Sequence, residues 1–463
     1  MKKQFVAALF SVLITADLSA QVQSEVLDNY ISQALESNLA LQQRELSYEK
    51  SLAALREAKS MFMPKLSLEA RYTVARGGRA INFPVGDLLN SVYGNLNVLN
   101  EVNSQNPDFP DIEKYPTIQN QTIDFLRTKE HETMFRVLFP VFNAAIIYNN
   151  RIQKDLSQAE KISVDIYKKE LIKEVKIAYF NYLKATQGIE LFENTKDLVK
   201  ENLRTTKSLY NNHKVTIDAV YSAETQVKGV EQQAALVYKN QQTAAAFFNF
   251  LLNREFDDEI IIEKNATILP VMIPLEDARN RAFSQREELL QLNHYMLAAE
   301  NNIKLYKGNS LPQINLVADY GIQGETYAFN TNSDFARGSL VLSWNLFDRP
   351  NRAKVQQVQI EKDILQNKID ETQQQIGLQV VNAYYELEAA MKTIDLSKSE
   401  VESSKKTYKL VYKKYLQGQA NVVELTTART DKTNAQMKLI ISKFEYLIKQ
   451  AEFERAASIN TYN

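Results

Sequence analysis

The chain has 463 residues, 55 basic and 56 acidic side chains, and not one cysteine. Without cysteine there is no disulfide framework, no thiolate metal site and no cysteine nucleophile. A net charge of −1 supplies neither a nucleic-acid patch nor an electrostatic hold on a membrane surface.

Residues 1–20 read as a secretory signal peptide. Lys2 and Lys3 form a basic start, 5–14 an apolar core, and Leu18-Ser19-Ala20 a cleavage site. The apolar stretch is too short to span a bilayer as a stable helix. The alternative, an uncleaved anchor or a buried first helix, conflicts with the polar sequence from Gln21 onward. No second run of about 18 apolar residues follows, so no transmembrane helix is expected. Absence of cysteine suits an oxidising periplasm. It also removes lipid attachment of the bacterial lipoprotein kind.

From there the chain is written twice. Residues 27–72 align without a gap on 275–320, an offset of 248, and 135–225 align on 340–430, an offset of 205. Pro64-Lys-Leu-Ser-Leu-Glu-Ala-Arg-Tyr72 lies over Pro312-Gln-Ile-Asn-Leu-Val-Ala-Asp-Tyr320, and Tyr210 lies over Tyr415. The first copy therefore holds 43 extra residues between its two blocks. Each copy reads helix, strand, loop, strand, very long helix, turn, helix. The expected division is a first repeat over 21–253, a linker over 254–275 and a second repeat over 276–463.

The first repeat opens with a helix over 26–60 and a strand over about 65–76. Leu66, Leu68, Ala70, Tyr72 and Val74 point one way, Lys65, Ser67, Glu69, Arg71 and Thr73 the other. The loop over 75–131 carries the extra residues and is rich in Asn, Gly and Pro; its conformation is left open. A second strand over about 132–142 presents Phe135, Val137, Phe139 and Val141. No proline falls within 141–269 or 351–463, so long helices can run there. The helix over 142–211 carries Leu171, Val175, Ala178, Tyr182, Ala185, Ile189 and Phe192 in 4-3 steps. That is a heptad-like seam for side-by-side packing. Some 65 helical residues reach roughly 95–100 Å, a length with no use in a globular domain. A turn and a helix over 217–252 follow. In the linker, Glu259-Ile-Ile-Ile-Glu263 predicts a short strand, and the segment is expected to pack round the middle of the long helices.

The second repeat gives a helix over 276–307, strands over about 313–323 and 336–347, a short loop between them, a helix over 352–416 and another over 422–457. Its seam is Ile376, Val380, Ala383, Leu387, Ala390 and Ile394. Each strand is about 10–12 residues, enough to cross an outer membrane at a tilt. Tyr72, Phe139, Phe142, Tyr320, Trp344 and Phe347 gather near strand ends as an interfacial aromatic girdle. A soluble half-buried sheet shows the same alternation; the long helices argue against it. Four strands cannot close a barrel, and an open edge cannot sit in hydrocarbon. Copies of the same chain must complete the wall, and three give twelve strands and twelve helical rods.

Two turns carry the candidate site. In Tyr415-Leu-Gln-Gly-Gln-Ala-Asn-Val-Val-Glu-Leu-Thr-Thr427, Gly418 suits the left-handed end of a helix. Asn421 caps the next helix, with Glu424 at capping-box spacing. Glu424 is then a local cap or, repeated by symmetry, a carboxylate ring that favours cations. In the first-repeat turn Thr216 is the cap, Asp218 suits the helix start, and His213 stands where Gly418 does. His213 reads as a solvated turn residue rather than a pH sensor. The histidines His131, His213 and His294 are scattered over a loop, a turn and a helix. No Ser-His-Asp elbow, P-loop or metal spacing appears, so the chain is expected to be no enzyme and to need no cofactor.

The signal peptide, the duplicated strand-and-long-helix pattern and the Tyr-x-x-Gly turn together resemble the TolC family of outer membrane efflux proteins. The resemblance covers essentially the whole mature chain. It implies a mostly helical fold with a small β part: a homotrimer whose twelve-stranded β-barrel spans the outer membrane and whose α-barrel crosses the periplasm. It also implies an equatorial domain and partners in a periplasmic adaptor and an inner-membrane pump of the RND, ABC or MFS kind. Glu424 matches the first of two acidic gate positions, and Thr427 replaces the second. Tyr415 matches a gate tyrosine, and Ala420 stands where an arginine is expected. The tips, with Gly418, Asn421, His213, Thr216 and Asp218, are candidate adaptor surfaces. The function implied is a passive export duct for small molecules. The alternatives are an outer membrane channel for protein secretion and a soluble periplasmic coiled-coil scaffold.

Overall fold

The structure is a computed structural model that describes residues 25–108, 110, 112–262 and 272–459. The signal segment lies outside the described residues, as do 263–271 of the linker. In chain order the elements are α1 (Glu25–Ser37), α2 (Leu39–Ser60), β1 (Lys65–Val74), β2 (Ala80–Phe83), α3 (Val85–Asn103), β3 (Gln121–Asp124) and β4 (Lys129–Phe142). Then come α4 (Ala144–Asn211), α5 (Ile217–Leu251), α6 (Leu275–Gln285), α7 (Glu287–Gly308), β5 (Gln313–Gly324), β6 (Asp334–Ser343), α8 (Arg349–Leu416) and α9 (Val422–Ala456). The chain divides into two compact units. One comprises Met1–Leu55, Arg151–Ile303 and Val355–Asn463; the other comprises Arg56–Asn150 and Lys304–Lys354.

The helical unit is built on the seam read from the sequence. Leu171, Val175, Ala178, Ile376, Val380 and Leu387 are all buried in one core. Tyr30, Tyr179 and Phe248 cluster there, with Phe248 at 5.0 Å from Tyr30 and 5.7 Å from Tyr179. Tyr384 and Phe453 repeat the contact at 6.1 Å in the second copy. Two helices expected to be continuous are each broken by a buried polar residue. Asn38 Nδ2 donates to Leu251 O at 2.9 Å, and its Oδ1 accepts from Leu41 N at 3.0 Å, starting α2. Arg286 donates to Arg455 O at 3.2 Å and Ala456 O at 3.3 Å. Asn38 and Arg286 are repeat equivalents, as are Leu251 and Ala456. Both breaks thus satisfy orphan carbonyls at the end of a returning helix. The helix expected from 352 begins at Arg349, because Pro350 is tolerated in a first turn. No strand forms over 259–262; Ile260 is buried in the core and Tyr30 OH accepts from Ile261 N at 2.8 Å. A side-chain anchor takes the place of ladder pairing there, and Glu263 lies outside the described residues.

In the other unit, β1, β4, β5 and β6 form an antiparallel sheet in that order, with β1 and β6 at its edges. Leu68 pairs with Phe135, and Leu316 with Leu340. Lys65 pairs with Leu138, and Gln313 with Ser343. The second pair of each set is the first shifted by 248 and 205, so the two hairpins share one register. Pairing sets the faces. Leu66, Leu68, Phe135, Tyr320, Leu340 and Leu342 stand exposed on an apolar face. The polar face carries an ion ladder in which Arg136 reaches Asp319 and Glu69 at 2.8 Å each, Arg337 reaches Asp319 at 2.6 Å, and Arg71 reaches Glu132 at 2.6 Å. All six expected girdle aromatics are exposed. Tyr72 and Tyr320 lie toward the loop ends of their strands; Phe139, Phe142, Trp344 and Phe347 lie toward the helix ends.

The segment over 75–131 is folded. β2 pairs with β3, and α3 carries an asparagine clamp. Asn90 both donates to Ile118 O and accepts from Ile118 N at 2.8 Å. Asn97 does the same for Tyr115 at 2.9 and 2.7 Å. Seven residues separate Asn90 from Asn97, two helical turns, so both reach one extended segment. His131, expected in a loop, lies in β4; it is buried, stacks on Tyr327 at 3.9 Å and donates to Thr326 O at 2.8 Å.

Candidate functional site at the hairpin turns

The turn between α8 and α9 closes with two backbone bonds, Gly418 N to Tyr415 O at 3.0 Å and Gln419 N to Lys414 O at 2.8 Å. Gly418 takes φ +72°, the left-handed step that ends a helix at low cost only for glycine. The turn between α4 and α5 copies it. His213 N bonds Tyr210 O and Lys214 N bonds Leu209 O, both at 2.9 Å. There His213 holds φ +60°, a conformation that costs a side-chain-bearing residue roughly 1–2 kcal/mol.

Asn421 and Glu424 form a complete capping box. Glu424 N donates to Asn421 Oδ1 at 2.8 Å, and Asn421 N donates to Glu424 Oε2 at 3.3 Å. The local reading of Glu424 is therefore realised, and its carboxylate stays exposed at the turn. Thr427 is exposed and donates back to Val423 O at 3.0 Å. Thr216 occupies the cap position of α5 without a side-chain cap bond. Asp218 lies in that helix's first turn.

Tyr415 is 2% exposed, whereas its repeat equivalent Tyr210 is 40% exposed. The Tyr415 hydroxyl lies 2.9 Å from Thr206 Oγ1, and Thr206 Oγ1 donates to Asn202 O at 2.9 Å. A hydroxyl has one proton. With the threonine proton committed to a carbonyl, the tyrosine is the donor to Thr206. This bond ties α8 to α4 one turn above the tip. In α9 Arg429 is 5% exposed, and its Nη1 is buried without a partner. Its Nη2 reaches Thr430 Oγ1 at 3.3 Å. Among the described residues no carboxylate lies within ion-pair distance of it. Burial holds the Arg429 guanidinium below its ordinary pKa, pushes the Tyr408 phenol up, and lowers the Lys432 ammonium, which stands over the Tyr408 ring at 4.9 Å. The two hairpins also meet through Gln226 and Thr426.

Sequence reasoning missed this buried polar layer. Past Phe192 one extra step of three leads to Thr195, and the 4-3 stepping resumes through Val199, Asn202 and Thr206, all four buried. In α8 it continues through Ser397, Val401, Ser404, Tyr408, Val411 and Tyr415. The spacing carried the signal, but polar residue types hid it. Among the described residues, no helix is long and apolar enough to cross a membrane and no His, Asp and Glu side chains gather as a metal site.

Two very long helices, each turning into a shorter one and each following a two-stranded hairpin, define a duplicated fold of long helical hairpins and short β-hairpins. Residues 278–457 match the family model described as outer membrane efflux protein. The chain is 20% identical to outer membrane protein TolC of Escherichia coli (strain K12) over 468 residues, covering 97% of this chain and 86% of that protein. The same protein of Salmonella enteritidis is 21% identical over 465 residues, covering 97% and 85%. In fold, it is similar to the outer-membrane channel OprN with a TM-score of 0.76 at 12% identity, covering 94% of this chain and 90% of that one. The Campylobacter jejuni CmeC outer membrane channel gives 0.76 at 13% identity, covering 94% and 86%. Over residues 278–457 the chain thus matches the outer membrane efflux protein family, and over nearly its whole length it is similar to TolC.

Proposed function

We propose that three copies assemble into a passive export duct for small molecules, served by a periplasmic adaptor and an inner-membrane pump. The observation that carries this reading is the sheet. It has an exposed apolar face, a charged opposite face and two open edges, which hydrocarbon tolerates only if further copies close the ring. The ion ladder then lines the barrel and the aromatic residues form its two girdles. The long helices form the periplasmic tube, whose tips bear Glu424, Thr427, Gly418, Asn421, His213, Thr216 and Asp218 and meet the adaptor.

The tips are the gate. Their seam is the polar continuation of an apolar one, so separating helices there uncovers less apolar surface than separating them higher up. The Tyr415–Thr206 bond holds the closed position, and three Glu424 carboxylates form a cation-favouring ring at the opening. Glu424→Gln keeps an oxygen that accepts from Asn421 N but removes the charge, whereas Glu424→Ala removes both. In planar bilayers Glu424→Gln should lower cation selectivity with unchanged thermal stability. Wild-type selectivity in that variant would leave Glu424 as a helix cap alone.

A further inference from the structure

The doubling fixes how one copy meets the next. The first hairpin maps onto the second pair for pair, with β1 and β5 related by 248 and β4 and β6 by 205. The sheet's central seam, β4 against β5, joins the second strand of one repeat to the first strand of the other. The missing seam of a closed ring, β6 against β1, joins the same two kinds of strand. The same offsets carry one onto the other.

We propose that β6 pairs antiparallel with β1 of a second copy in that mapped register. This rests on the closed-ring reading above and adds the residue pairs. Met134 opposite Gly321 becomes Ser339 opposite Thr73 of the next copy, and Phe135 opposite Tyr320 becomes Leu340 opposite Tyr72. Val137 opposite Ala318 becomes Leu342 opposite Ala70, and Phe139 opposite Leu316 becomes Trp344 opposite Leu68. These three outward-facing pairs, Leu340 with Tyr72, Leu342 with Ala70 and Trp344 with Leu68, are apolar, as hydrocarbon demands. The inner face receives Ser339 with Thr73 and Ser343 with Glu69.

Charge suggests one rival register. Setting Arg337 against Glu69 of the next copy would continue the alternating ladder of Glu69, Arg136, Asp319 and Arg337 around the barrel. Two facts oppose it. Arg337 already donates to Asp319 through Nε at 3.1 Å and Nη2 at 2.6 Å. That register would also leave strands almost upright, whereas barrel closure requires tilt. The two registers differ by six residues along β1, about 20 Å at ~3.3 Å per residue, so a short cross-link separates them.

The cysteine-free chain gives a clean background. Three double variants test the register on the polar face: Ser339→Cys with Thr73→Cys, Ser339→Cys with Arg71→Cys, and Ser339→Cys with Ser67→Cys. Each is treated in outer membranes with a short bis-maleimide, which adds one cysteine thiol across each of its two double bonds, and a parallel sample with a lysine-directed cross-linker counts copies per assembly. The expected result is at least ten-fold more linked chains on denaturing gels for the Thr73 pair than for either other pair. Greater linkage of the Arg71 or Ser67 pair overturns the register. Lysine-linked trimers with no thiol linkage in any pair overturn it too and leave the trimer standing. Single chains only in both reactions overturn the trimer and the register together.

Discussion

Tyr415→Phe is the sharpest perturbation of the proposed gate. The variant deletes one buried hydroxyl and keeps the ring that fills the space. Thr206 retains its bond to Asn202 O, so no donor is stranded and the loss is one ordinary hydrogen bond, about 1 kcal/mol per copy. In the open form the same phenol bonds water, so the loss falls on the closed form. If three tips move together, about 3 kcal/mol is removed. At 1.4 kcal/mol per tenfold, the closed-to-open ratio falls by roughly a hundredfold. Single-channel recording in planar bilayers reads this directly as dwell time in the conducting state. Thr206→Val should produce a shift of the same order, and the double variant should add little, because both changes break one bond. An unchanged open probability in Tyr415→Phe, or two effects that simply add, would refute the latch.

The two turns make opposite predictions from one geometry. His213→Gly should raise the melting temperature of detergent-solubilised protein by relieving about 1 kcal/mol of left-handed strain, and Gly418→Ala should lower it by a similar amount. Arg429→Met should leave stability unchanged or raise it by about 1–4 kcal/mol, since a buried cation without a carboxylate partner is replaced by an apolar chain of similar reach; chemical denaturation checks this, and a clear loss would reveal a counter-charge supplied on assembly. Burial opposes the charged form of Glu288, but hydrogen bonds from Arg286 and the Arg455 charge outweigh it and hold the carboxyl below the usual range. With the folded pKa depressed, its contribution is present above the unfolded carboxylate pKa and is lost as pH falls through the folded value. Acid melts of Glu288→Gln should therefore show a flatter pH dependence than wild type below about pH 4.3.

Fold and site differed in how openly the sequence wrote them. Strand alternation in 66–74 and the 4-3 stepping of Leu171 to Phe192 depend on hydropathy alone, so they were legible. The clamp of Asn90 and Asn97 was not, because asparagine in a loop-like composition reads as solvated until an extended segment is placed beside it. The breaks at Asn38 and Arg286 were hidden for a related reason: each makes a bond whose partner, Leu251 O or Ala456 O, lies more than 150 residues away. Yet both sit at one offset, and a polar residue at equivalent buried positions of two repeats is a detectable mark. The tip follows the same logic in reverse. Tyr415 and Tyr210 are repeat equivalents that ended differently, one buried against Thr206 and one exposed. Arg429 likewise replaces Glu224, which pairs with Lys207 at 2.9 Å in the first hairpin. Where two copies of one pattern diverge, packing alone no longer explains the residue. Under the proposed gating, those divergences single out the second hairpin as the one whose movement is to be tested first.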